Sequence, residues 1–102
     1  MQPSENALAC NLNVFDAQQR SRHEALVQQL LAPSSRDSRE LADGYALRYA
    51  DDAPTILALA EFITLERLCC PFFTFTLEVE ANRGPVWLKL TGSGEVKQMI
   101  KA

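Results

Sequence analysis

With a single histidine, His23, in 102 residues, no Ser-His-Asp arrangement assembles from the chain and no paired-histidine metal motif exists. The C-x-x-C spacing of zinc ribbons and thioredoxin-like redox motifs is also missing. Basic residues number 10 against 13 acidic ones, for a net charge of −3, and they are scattered. That excludes the phosphate-neutralising footprint of a DNA- or RNA-binding protein, and no nucleic acid partner is expected. No apolar run approaches the roughly 20 residues that cross a bilayer. The N-terminus is polar with no signal-peptide pattern, so no membrane partner and a cytoplasmic location are expected. Cysteine is scarce and odd in number, at three. In a reducing compartment that count argues against a disulfide framework and toward free thiols, metal ligation or redox chemistry. The adjacent pair Cys69 and Cys70 would bridge poorly, because the small ring strains the peptide bond between them. Glycine is sparse, and the stretch Gly92-Ser93-Gly94 lacks the spacing of a phosphate-binding loop. It reads as a turn with Ser93 as a helix N-cap.

What the chain does have is 47% hydrophobic residues, distributed with clear periodicity. They suit one compact domain over residues 1–102, with 1–6 as a loose tail. Everything is organised around Asp52 to Glu80. Asp51-Asp52 and Pro54 open a helix, and an apolar arc collects Phe62, Leu59, Cys70, Ile63 and Ile56 at the helical period. Pro71 disfavours the α conformation at Cys70 and ends the helix there. The period then drops to two, with Phe73, Phe75, Leu77 and Val79 on one face of a strand. Ala81-Asn82-Arg83-Gly84 reads as a hairpin turn into a second strand carrying Val86, Leu88 and Leu90.

Upstream, the alternation of Leu8, Cys10, Leu12 and Val14 predicts a first strand with Cys10 toward the core. Asp16 and Gln19 form a capping box for a helix reaching about Ala32, where Pro33 stops it. Its stripe is His23, Leu26, Val27 and Leu30. A strand near 39–42, a turn at Asp43-Gly44 and a strand with Tyr45, Leu47 and Tyr49 on one face make another hairpin. A short terminal helix would carry Val96, Met99 and Ile100. The order strand, helix, hairpin, helix, hairpin, helix implies an α+β two-layer sandwich, with about five mostly antiparallel strands and helices on one face.

The chemistry concentrates at the end of the central helix. Thiolates select soft ions such as Zn, Cu(I) or Hg. Cys69, Cys70 and Cys10, with His23 as a fourth ligand, would complete a tetrahedral set. The two vicinal thiols diverge while the helix persists and can turn to one point once it unwinds. The competing reading makes each cysteine a small buried hydrophobe and His23 a hydrogen-bonded stripe residue. Glu66 falls inside the apolar arc, where an unpartnered carboxylate is costly. Arg20, Arg22 or Arg48 is the expected partner, in a structural ion pair. A carboxylate near Cys70 raises the thiol pKa, whereas Arg67, placed near Cys70 on the wheel, would favour the thiolate. An enzyme with Cys70 as nucleophile ranks behind both, since His23 would have to arrive through the fold. No catalytic or cofactor-binding residue is assigned.

The segment Glu66-Arg67-Leu68-Cys69-Cys70-Pro71-Phe72, with Gly44 to Arg48, Gly84 to Leu88, Leu90 to Gly92 and Cys10, resembles a family of small, largely uncharacterised bacterial proteins that share a Glu-Arg-x-Cys-Cys-x-Phe motif. The resemblance spans most of the chain and brings no activity with it. The sequence therefore points to a small binding protein with a vicinal-cysteine soft-metal or thiol site, against the alternative of an interaction module with inert cysteines. Trp87 and Phe72, placed on the sheet face opposite the core, would form an apolar patch. From that patch a homodimer through the open sheet face is expected.

Overall fold

The structure, a computed structural model, describes residues 10–31, 37–95 and Lys97. It is α+β, with, among the described residues, two α-helices, α1 (Ala17–Leu30) and α2 (Ala53–Cys69), and four strands, β1 (Ser38–Leu41), β2 (Gly44–Tyr49), β3 (Thr74–Val79) and β4 (Val86–Thr91). The strands form one open antiparallel sheet in the order β1-β2-β4-β3.

Local chemistry explains most element boundaries. The Asp16 carboxylate accepts from the Gln19 amide while the Gln19 side chain accepts from the Asp16 amide, so the capping box forms as read. Asp52 caps α2 by accepting from the Thr55 amide, and Pro54 occupies the first turn, where its missing N–H costs nothing. At the other end Cys70 leaves the helix with φ −128° and ψ 68°, the restriction that Pro71 imposes on its predecessor. The β3–β4 turn places Asn82 and Arg83 at φ 61° and 59°, and the Gly84 amide donates to the Ala81 carbonyl. This left-handed pair matches the twist that a tight hairpin needs. In the β1–β2 hairpin the two turn residues are Ala42 and Asp43, and Gly44 is already paired with Leu41 and Thr91. A β-carbon at Gly44 would collide with the Leu90 carbonyl of β4, so glycine here permits strand approach rather than a turn.

Among the described residues four strands stand where about five were expected, because the segment Cys10 to Val14 is not a strand. Leu12–Val14 form a short 3-10 turn, capped by the Asn11 side chain accepting from the Asn13 amide. Alternating apolar residues signal a strand only if the backbone has no local competitor, and asparagine supplies one. Cys10 is accordingly exposed rather than facing the core. Leu8 and the expected helix of Val96, Met99 and Ile100 lie outside the described residues.

Pairing of Tyr45 with Leu90, Leu47 with Leu88, and Leu77 with Leu88 puts these side chains on one sheet face. Val86 and Leu88 from that face join Leu26 and Leu30 of α1 and Leu59, Phe62 and Leu65 of α2 in the core cluster. The Tyr49 hydroxyl donates to the Leu30 carbonyl at 2.9 Å, which ties β2 to the end of α1. On α2 the buried residues are Ala58, Leu59, Phe62, Leu65 and Cys69. Ile56 and Ile63 are only partly covered. The buried face is thus rotated toward Phe62 and Cys69, because α2 packs against α1 and the Leu12–Val14 turn as well as β3.

Trp87 corrects a further expectation. It lies on the sheet face opposite Val86 and Leu88, yet it is only 8% exposed. The Arg39 guanidinium sits 4.5 Å from its ring centroid, and its indole N–H donates to Glu80 at 2.7 Å. Lys89 and Glu78 pair on the same face at 3.0 Å. Charged side chains cover the indole within one chain, and the apolar patch argued for dimerisation is absent at this position.

Candidate metal and thiol site

The N-terminal segment reaches the end of α2 through a backbone bond, the Asn11 amide donating to the Cys69 carbonyl at 2.8 Å. That carbonyl is one of the orphan acceptors every helix C-terminus leaves. The same contact sets Cys10 beside Cys70, their Cα atoms 4.6 Å apart, and the two are joined by a disulfide. For two of the three cysteines this replaces the free thiols expected from the sequence. An odd cysteine count cannot reveal that two distant residues share a helix end. The vicinal pair stays unbridged, as ring strain requires, and Cys69 is the free cysteine among the described residues.

Unwinding at Cys70 does bring the vicinal sulfurs to one point: Cys69 Sγ lies 3.5 Å from Cys70 Sγ. Glu66, one turn below, completes the cluster. Its Oε1 is 3.7 Å from Cys69 Sγ and its Oε2 is 3.4 Å from Cys70 Sγ. The ligand atoms of Cys10, Glu66, Cys69 and Cys70 all lie within 4.8 Å of one another. Cys69 and Cys70 are buried, while Cys10 is on the solvent side.

Glu66 finds its partner in His23 and not in an arginine. Arg22 pairs with Glu61, Arg48 with Asp37, and Arg20 reaches the Leu12 carbonyl and Asn13. The His23 Nε2 is 2.6 Å from Glu66 Oε1, with side chains 11% and 15% exposed. With the carboxylate accepting, Nε2 carries the donor hydrogen. The imidazole is held between two phenylalanine rings, 5.0 Å from Phe15 and 6.0 Å from Phe62 between centroids. His23 therefore arrives through the fold, but it meets the carboxylate and reaches the sulfurs only through Glu66. Its stripe position on α1 was readable in the sequence, whereas its partner was not. Arg67 is exposed, and Cys70, held in the disulfide, has no thiolate for it to favour.

Burial pushes the Cys69 thiol up from an ordinary 9.0 to about 12, with the Glu66 charge and its hydrogen bond adding to the effect. Between pH 9 and about 12 the unfolded thiol ionises while the native one stays protonated. Cys69 thus contributes stability that is present below pH 9 and lost as pH rises through that window, by at most about 1.4 kcal/mol per pH unit. Urea midpoints are expected to fall more from pH 8 to pH 10 in the wild type than in Cys69→Ala. Equal falls would mean that the thiol is not held neutral.

Among the described residues no helix is long and apolar enough to cross a membrane. No protein-family model, curated protein or solved structure matches this chain.

Proposed function

We propose that this chain is a small binding protein whose thiol cluster captures a soft metal ion or another thiophile in the reduced state, and that the Cys10–Cys70 bond closes the site when it forms. The observation that carries this reading is the convergence of three sulfurs and a carboxylate within 4.8 Å at the end of α2. Thiolate sulfur is the donor that soft ions prefer, and a disulfide sulfur has no thiolate to give, so ligation and oxidation compete for Cys10 and Cys70. The packing of β4 core residues with both helices supports helices on one face of the sheet, with Cys69 and Cys70 part of the same core cluster. The resemblance to proteins with the Glu-Arg-x-Cys-Cys-x-Phe motif agrees with the choice of residues.

The test is uptake by the protein in both redox states. Protein reduced with a phosphine and desalted without oxygen is expected to retain about one equivalent of Zn, Cu(I) or Hg after dialysis, as a single cluster dictates. The disulfide form is expected to retain none. Failure of the reduced protein to hold any of the three ends the proposal.

A second reading is favoured by the burial of Cys69 and Cys70, 1% and 0% exposed. Here the Cys10–Cys70 bond is a structural clamp and Cys69 is core filler. Under that reading Cys69→Ala costs only stability, about 1 to 3 kcal/mol, and metal uptake is nil in either redox state.

A further inference from the structure

We infer that in the reduced protein Glu66 is the fourth ligand of a tetrahedral site for a divalent ion of the Zn class, with Cys10, Cys69 and Cys70 supplying the other three; this rests on the metal-binding reading above. Zn–S bonds of about 2.3 Å and Zn–O bonds of about 2.1 Å make a tetrahedron with S···S edges of about 3.8 Å and S···O edges of about 3.6 Å. Two edges of that size are already present, 3.5 Å between the Cys69 and Cys70 sulfurs and 3.4 Å from Cys70 Sγ to Glu66 Oε2, and the ligand atoms of all four residues lie within 4.8 Å of one another. The Cys10 sulfur is bonded to that of Cys70 and has to move. Once reduced, it has to withdraw from Cys70 by roughly 1.8 Å, the difference between a disulfide bond and such an edge. Cys10 is exposed and lies in the segment that the Asn11 amide anchors to α2, so a side-chain rotation suffices.

Two features favour a cation bound by Glu66. His23 already occupies Oε1 at 2.6 Å, which leaves Oε2, on the Cys70 side, to ligate. A hydrogen-bonded outer partner of this kind is what a ligating carboxylate ordinarily has. The cluster also sits at the C-terminal end of α2, where the helix dipole is negative. Three thiols, a carboxylate and that dipole gather with Arg67 turned to solvent, and a divalent cation offsets the charge that would otherwise oppose thiolate formation.

X-ray absorption on the zinc-loaded, reduced wild type tests the ligand set without any substitution. Three sulfur neighbours and one light neighbour are expected. Competition with a chromophoric chelator tests Glu66 directly: Glu66→Gln and Glu66→Asp are each expected to weaken zinc binding at least tenfold. Three sulfurs with no light neighbour, or Glu66→Gln binding zinc as the wild type does, overturns the inference and leaves the soft-metal reading standing. A three-sulfur pyramidal complex formed with trivalent arsenic but not with zinc overturns it in the same way. A reduced wild type that binds none of Zn, Cu(I) and Hg removes the underlying reading itself.

Discussion

Reduction of the Cys10–Cys70 bond is expected to lower the unfolding free energy by about 4 kcal/mol, the chain-entropy value for a loop of this size. The bond closes 60 residues, which include α1, the β1–β2 hairpin and α2. Opening it restores conformational freedom to most of the unfolded chain. The native state loses little, because the Asn11–Cys69 backbone bond still holds the segment at the helix end. Urea titrations of oxidised wild type, reduced wild type and oxidised Cys10→Ser measure the effect, and the last two should coincide. Reduction that leaves the midpoint unchanged would show that the crosslink does not constrain the unfolded state. For a protein of ordinary stability, about 5 to 15 kcal/mol, the reduced form is marginal. Ligand binding to that form then raises its stability by mass action, so a zinc-dependent rise in the urea midpoint of reduced protein accompanies the proposed function.

Removing His23 should be nearly as damaging. His23→Ala leaves the Glu66 carboxylate, 15% exposed, against the sulfurs and without its hydrogen-bond donor. Breaking one side of a buried pair costs about 3 kcal/mol, and here the stacking against Phe15 and Phe62 is lost as well. Glu66→Ala is expected to cost less, because it removes the buried carboxylate together with its contact and keeps the imidazole packed against the two aromatic rings. The double variant should therefore be more stable than the sum of the two single losses, by about 1 to 2 kcal/mol. A double-mutant cycle in urea at pH 7 reads this coupling. Strict additivity would show that the 2.6 Å contact contributes nothing beyond packing.

Local rules carry much of this protein. The Asp16 cap, the acidic start of α2 at Asp51-Asp52, the stop at Pro71, the Asn82-Arg83 turn and the two-residue period of β3 and β4 all follow from interactions between residues a few positions apart, and all are legible in the chain. So is the importance of Glu66, Cys69 and Cys70, since a carboxylate on an apolar arc and a vicinal pair at a helix end are anomalies that periodicity exposes. Cys10 to Val14 alternates like a strand and is none, because alternation does not register the local bonds of Asn11. Trp87 reads as uncovered in the chain, because its lid, Arg39, comes from β1, on the same face but beyond β2.

Partners were beyond local rules altogether. The choice of His23 over three arginines for Glu66 depends on how α1 lies against α2. The union of Cys10 with Cys70 depends on a single amide reaching an orphan carbonyl at the end of a helix. Both join residues more than 40 positions apart, at 43 for the pair and 60 for the disulfide. Charge and hydrophobicity patterns state that a buried carboxylate needs a donor and that a thiol needs a neighbour. Which one arrives is settled by packing of the two helices, since short-range contacts have no memory of sequence distance.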